Sequence, residues 1–345
     1  MLLIVAGAGA SYDSILALKP QVSAAVEQIR LPLANQLFDA RPAFEAAMRE
    51  MPRVMPIAPL LQSRAGGGTV EDILARFADE APSNPHRLVQ LAAVRFYLQS
   101  VIVSCENAWY RDKPVPTNMM ALYDEIENAR GTKAHATFVT FNYDRIIEDA
   151  LLNRGWSIRD IRDYALPSRT ALFKLHGSVD WARPVAAYDR SVFGGGKWEI
   201  ARAVCEKSAT FGAPGEIFHW NDMPNSVAKE AVTLPALAIP VKSKTSFECP
   251  DAHVLALVQR LPLVTAVLTI GWRGAETQFL QLLRDKVRPD VEVLCVSDSN
   301  DNADATAAQM RTVLPAATVR TFGAGFSEFI RHRAILPLLE VAYPA

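Results

Sequence analysis

Five short stretches of the chain end a hydrophobic run in residues able to do chemistry. In ALFKLHGSVDW (171–181) an apolar run from Ala171 to Leu175 carries one charge. His176 follows at once, and Gly177 and Ser178 then break the strand. A histidine at the end of a buried parallel strand points into the crevice where open α/β sheets bind ligands. With an ordinary pKa of about 6.5, it can take a proton from water or a hydroxyl. The competing reading is a strand-end residue capped by a backbone carbonyl. In TFVTFNYDRIIEDALL (137–152) a strand ends at Asn142, a neutral donor and acceptor suited to holding a water or a ribose hydroxyl. Asp144 follows near the start of the next helix, where an N-cap or first-turn carboxylate is also expected.

Three further strand ends have small or polar residues. In VAGAGAS (5–11), Gly7 and Gly9 let the backbone approach a phosphate at a helix start. The dinucleotide fingerprint is incomplete: Tyr12 stands where its third glycine belongs, and no second strand with an acidic end follows at the usual distance. LTIGWRGAETQFL (268–280) repeats the strand–glycine–helix pattern. Gly271 permits close backbone approach there. Trp272 and Arg273 either flank a nucleotide or are, respectively, packed on the sheet and dissolved in solvent. In LCVSDSN (294–300), Ser297 and Asp298 stand where a ribose or an adenine edge is recognised.

The elements that must position these residues are short apolar segments. Strands are expected at Leu2–Ala6, Thr137–Phe141, Leu172–Leu175, Ala236–Ile239, Thr265–Ile270, Glu292–Val296 and Val319–Phe322. Most precede a helical pattern: YDRIIEDALLN, AETQFLQLLRD, NADATAAQMRTVL and GFSEFIRHRAILPLLEVA. The expected fold is therefore α/β, a Rossmann-like, mostly parallel sheet flanked by helices. Two segments interrupt it. From Pro20 to about Lys133 the period is helical, with breaks at prolines and at Gly66–Gly68, and reads as a helical subdomain inserted after the first strand. From about Arg183 to Pro235 the chain is rich in Gly, Pro and aromatics and reads as an irregular insertion near the site, with room for a hairpin.

Bulk properties exclude several classes of function. The 345 residues are 50% hydrophobic and 21% charged, with 36 Lys+Arg against 37 Asp+Glu and a net charge of −1. No basic excess marks a nucleic-acid footprint, and direct nucleic-acid binding is not expected. The apolar start lacks a basic n-region and is too short for a membrane span, so it reads as the first strand, and a cytoplasmic protein is expected. Cys105, Cys205, Cys249 and Cys295 form no C-x-x-C pair, so no metal site of the usual zinc spacing is expected.

The motifs together resemble the sirtuin superfamily. GAGAS is similar to its phosphate loop, FNYD to its Gln-Asn-Ile-Asp motif, KLHGS to its histidine motif and GWRGAE to its later glycine turn. They occur in the family's order along nearly the whole chain, which then reads as a single sirtuin-like domain. The resemblance implies NAD as the substrate and His176 as the catalytic histidine. It implies that Asn142 positions water or the nicotinamide ribose, that Asp144 supports the site, and that Gly7, Ala8, Gly9 and Ser11 hold the phosphates. The chain departs from the protein-deacylating branch. It lacks the paired zinc cysteines, and YDSILALKP offers no Asp-Phe-Arg segment. The helical insertion, FNYD and KLHGSVDW resemble instead the sirtuin-like NAD hydrolases of bacterial antiphage defence. That likeness implies homo-oligomerisation and a partner such as a helicase-like ATPase or a short Argonaute, and if the sheet, the helical block and the insertion use all 345 residues, no separate sensing domain is expected. An NAD-dependent deacylase and a non-catalytic NAD or ADP-ribose sensor are the competing readings.

Overall fold

Strand β1, Leu2–Ala6, is apolar along its whole length because it is buried on both faces and both edges. It pairs in parallel with β2 (Ala136–Thr140) on one side and with β7 (Ala266–Ile270) on the other. With β3 (Ala171–Lys174), β8 (Glu292–Val296) and β9 (Thr318–Phe322) these form a six-stranded parallel sheet of order β3-β2-β1-β7-β8-β9. The chain runs outward from β1 to β3, then returns and runs outward again from β7 to β9. The order therefore reverses beside β1, where a doubly wound sheet opens its crevice. The computed structural model describes residues 1–15, 24–63, 69–112, 115–130, 135–166, 170–185, 196–210, 215–220, 232–240 and 247–344. The six strands lie within one residue of their expected positions, with helices Ile146–Leu152, Thr277–Lys286 and Asn300–Val313 behind β2, β7 and β8.

The expected break after His176 proves to be the start of another strand. β4, Gly177–Val185, pairs antiparallel with β5 (Phe218–His219) and β6 (Val232–Leu237) in a second, three-stranded sheet. Gly177 makes the corner at φ +83, and a Cβ there would overlap the Ala236 carbonyl oxygen. The strand expected at Ala236–Ile239 overlaps β6 at Ala236 and Leu237, and β6 is an edge strand of this small antiparallel sheet. An edge is where Pro235 is tolerated, because its missing N–H breaks no interior ladder. The last helical pattern also divides, into Phe326–Arg331 and Leu336–Ala342. Arg333 stands between them at φ 49, and Pro337 can sit only near a helix start.

The insertion after β1 is helical: Ala24–Ile29, Pro42–Glu50, Ala58–Ser63, Val70–Glu80, Pro85–Glu106 and Asn118–Arg130. PLANQLFDA gives only a 3-10 turn, Ala34–Gln36, and Gly66–Gly68 lie outside the described residues. The long helix starts at Asn84, whose side chain accepts from the His86 amide, with Pro85 at the first position. It packs on helices Pro42–Glu50 and Val70–Glu80, on β4 and β6, and on helix Lys197–Lys207. That explains an apolar surface on all sides. With Asn107–Arg111 it forms the one helix among the described residues long and apolar enough to cross a membrane, and most of that stretch is buried in the fold. The 183–235 segment is more regular than expected, since it contributes that last helix and parts of the small sheet, while residues 186–195, 211–214 and 221–231 lie outside the described residues.

His253, on helix Asp251–Arg260, packs among Trp181 of β4, Phe173 of β3 and Tyr164, where the two sheets meet. Its Nε2 donates to the Ile161 carbonyl at 2.7 Å, and burial pushes its pKa down to about 4. The unfolded chain binds a proton here near pH 6.5, whereas the folded chain does so only near 4. Stability from this site is complete above 6.5 and is lost as pH falls through that window, by about 3 kcal/mol in all. Urea midpoints at pH 7 and 4.5 are expected to differ less in His253→Gln than in the parent. An equal difference in both would show that His253 does not drive the acid sensitivity.

Candidate active site

A cavity of about 740 Å³ opens at the C-terminal ends of the parallel strands. Each strand end singled out in the sequence reaches it. Gly7, Ala8, Gly9 and Ser11 follow β1, Asn142 and Asp144 follow β2, and His176 follows β3. Gly271, Trp272 and Arg273 follow β7, and Ser297 and Asp298 follow β8. No described residue of 183–235 lines it. The opposite wall is built by the helical insertion, through Arg30, Leu31–Leu33, Glu71 and Ile102.

The glycines serve first to bring two turns together. A Cβ on Gly9 would lie 2.8 Å from the Gly271 Cα, and one on Gly271, at φ +55, would lie 2.5 Å from the Gly9 Cα. Gly7 N donates to the Ile270 carbonyl at 3.0 Å and Gly9 N to the Gly271 carbonyl at 3.2 Å, while Gly271 N donates to Val296 at 2.9 Å. The Gly7 and Gly9 amides expected to face a phosphate are thus engaged within the floor of the cavity. Helix Ala8–Tyr12, which follows, is only five residues long.

The polar work falls to side chains. Asn142 Nδ2 donates to the Gly7 carbonyl and to Ser11 Oγ, both at 2.8 Å. A carbonyl can only accept, so this contact fixes the amide with Oδ1 as the group left to present. Ser11 Oγ in turn donates to Asp144 Oδ2 at 2.7 Å, and Asp144 Oδ1 accepts from the Ile146 amide at 3.2 Å. Asp144 therefore both caps the helix start and closes a chain running Gly7–Asn142–Ser11–Asp144. The hydroxyl proton of Ser11, expected at a phosphate, belongs to that chain. His176 is nine-tenths buried, its ring edge against Phe141 with centroids 4.9 Å apart, and its carbonyl accepts from Ala238 N at 2.9 Å. The residue lines the cavity, and its backbone is tied to the residue that follows β6.

The remaining positions differ in character. Trp272 is buried, stacked on Phe141 with ring centroids 6.0 Å apart, and its Nε1 donates to Glu276 at 2.5 Å. Its ring is committed to the wall, while Arg273 is exposed at the rim. Asp298 accepts from Asn302 Nδ2 at 2.8 Å, and that bond, with Ser297, holds its carboxyl below the usual range. Arg30 carried no sequence signal. It is buried in the cavity wall, its guanidinium 4.1 Å from the Tyr12 ring centroid and 2.9 Å from Glu27, and its Nε has no partner among the described residues. Among the described residues no cluster of three or more potential metal ligands occurs, and each of the four cysteines is buried and separate.

No family model and no curated protein matches this sequence. Similar solved structures include Sir2Tm bound to a propionylated peptide, at 11% identity and TM-score 0.40 over 97% of this chain and 92% of that one. A Sir2–p53 peptide–NAD+ complex matches at 11% identity and TM-score 0.40 over 97% and 92%. A mutant Sir2 homologue with ADP-ribose matches at 12% identity and TM-score 0.39 over 98% and 93%. Values this low assign neither a family nor an activity.

Behind the Asn142–Asp144 turn lies a buried ion pair. Lys174 of β3, fully buried, donates to the Asp144 carbonyl and pairs with Glu148 at 2.8 Å. Burial pushes the Glu148 carboxyl up, against the pull of Lys174. Lys174→Met leaves that carboxylate uncompensated and is expected to lower stability by about 3–5 kcal/mol. Adding Glu148→Gln to it is expected to restore most of the loss. Denaturant titration of the two variants checks this, and no recovery in the double variant would overturn the pairing as the cause.

Proposed function

We propose that this chain is a sirtuin-like NAD+ glycohydrolase, cleaving the nicotinamide–ribose bond to give nicotinamide and ADP-ribose. The observation that carries this reading is the convergence of His176 from one motif, and of Asn142 and Asp144 from another, on one cavity beside the Gly7–Ser11 turn. Its volume, about 740 Å³, falls in the range of roughly 300–1,000 Å³ typical of ligand sites. The fit to a dinucleotide rests also on donor chemistry. Arg30 offers a buried cation to a diphosphate, and Asp298, with Ser297, offers acceptors to ribose hydroxyls. Gly7, Ala8 and Gly9 lend the floor its closeness rather than their full set of amides.

Cleavage develops positive charge at the ribose carbon while nicotinamide departs as a neutral base. Such a reaction needs orientation and a poised water more than a strong nucleophile. Asn142 Oδ1, its amide already fixed by Gly7 and Ser11, accepts a hydrogen bond from the water or a ribose hydroxyl. His176 takes the proton released as water adds to the ribose carbon. Asp144 keeps Ser11, and through it Asn142, in place. No metal is invoked. The family resemblance extends the proposal to NAD depletion in antiphage defence in the cytoplasm, by a homo-oligomer whose trigger comes from a partner ATPase or Argonaute-type sensor.

Purified protein with NAD is expected to release free nicotinamide without any acyl peptide. Asn142→Ala and His176→Ala are expected to reduce release by about a hundredfold or more while melting as the parent does. Release that requires an acyl peptide would make the protein a deacylase. NAD binding without release, unchanged in His176→Ala, would make it a sensor. Full activity in either variant would remove that residue from the chemistry.

A further inference from the structure

The helical insertion touches the candidate site in a second way, from below. Glu106, the last residue of the long helix Pro85–Glu106, is fully buried at the back of the turn that carries Asn142 and Asp144. Its Oε1 accepts from the Arg145 amide at 2.5 Å, and its Oε2 accepts from Arg145 Nε at 2.9 Å and Nη2 at 2.5 Å. The other arm of that guanidinium donates to Asp180 of β4 at 2.9 Å. The helix widens into a π turn, Asn107–Arg111, at the next residue. From it, Trp109 Nε1 donates to Ser14 Oγ at 2.8 Å and Tyr110 to Asp149 at 3.0 Å. One helix end thus grips the turn that bears Asn142 and Asp144 and the segment that follows the Gly7–Ser11 turn. The Arg145 amide belongs to the start of helix Ile146–Leu152, where backbone donors have no intrahelical partner. A carboxylate from a distant element satisfies it, and a buried ion pair does so at a desolvation penalty that an apolar contact would not incur.

We propose that Glu106 is a positioning residue for the site: acting through Arg145, it fixes the turn carrying Asn142 and Asp144, and the insertion thereby sets the turnover rate. The inference rests on the reading of the site as an NAD-cleaving centre. Glu106→Gln keeps the volume and an acceptor for the Arg145 amide but removes the charge that grips the guanidinium. Asp180→Asn leaves Glu106 untouched and loosens the far arm of Arg145, along with the approach of His219 to the same carboxylate.

Nicotinamide release gives kcat and KM for the parent and both variants, and thermal melting reports the fold. Glu106→Gln is expected to lower kcat about tenfold or more with KM within about twofold, because misplacement acts on the reacting geometry rather than on binding. Asp180→Asn is expected to lower kcat in the same direction at an unchanged melting temperature, which keeps the test open should Glu106→Gln fail to fold. Glu106→Asp, a shorter carboxylate, is expected to recover part of the loss. Turnover in the parent with unchanged kcat in Glu106→Gln and Asp180→Asn overturns this inference alone. Loss that follows the melting temperature, with kcat per folded molecule unchanged, overturns it too. No turnover in the parent overturns the reading of the site, and the inference with it.

Discussion

The cavity depends on how closely the turn after β1 approaches the turn after β7. Gly7, Gly9 and Gly271 meet backbone to backbone, and any side chain at these positions would push the turns apart. That contact closes the floor at the point where the strand order reverses. The same contact engages the Gly7 and Gly9 amides with carbonyls of neighbouring strand ends. A glycine-rich turn that would ordinarily offer its amides to a ligand here joins two halves of a sheet. Ligand recognition is thereby moved from the backbone to the side chains above it.

Those side chains are organised as a chain of donors and acceptors, each with its orientation set by the next. The Gly7 carbonyl fixes the Asn142 amide, Asn142 fixes the Ser11 hydroxyl, and Ser11 points its proton at Asp144. The order decides which atom is free: with both Asn142 amide protons held, only its oxygen faces outward. Below this chain lie two buried ion pairs, Lys174–Glu148 and Arg145–Glu106. Each carries a desolvation penalty, and each holds a main-chain group of the same short turn. Buried charge placed twice behind four residues is what a site requires when its turn must not move.

What the sequence made legible was whatever depends on local pattern. Apolar runs between helical periods located the parallel strands, and all but the exposed edge strand β9 are buried along nearly their whole length, which keeps their sequences mainly apolar. Residues at the strand ends were legible as site candidates for the same topological reason. Contacts between distant segments were not. Gly177 was read as the end of a strand because a glycine gives no indication of the corner its positive φ makes. Ala236 to Ile239 was legible as a strand but not as part of a second, antiparallel sheet, because a short apolar run does not encode its partner's direction. The pattern around Trp272 left open whether it flanks a nucleotide or packs on the sheet, because its stacking partner Phe141 stands 131 positions earlier in the chain. Arg30 and Glu106 sit in helical sequence with nothing in their neighbours to mark them, since their roles exist only once the insertion folds back over the sheet.

That folding back bears on how a fold acquires a function. The parallel sheet supplies groups that are correct in kind and approximate in place: a histidine, an amide and a carboxylate at adjacent strand ends. The insertion contributes nothing to the sheet, yet it builds one wall of the cavity through Arg30 and Leu31–Leu33 and clamps the underside of the β2 turn through Glu106. Substrate enclosure and turn rigidity therefore come from one element, whose long helix is anchored in turn against β4 and β6 of the small sheet. Displacing that helix would withdraw Ile102 from the cavity wall and release the Arg145 amide, so part of the enclosure and the alignment of the turn share one support.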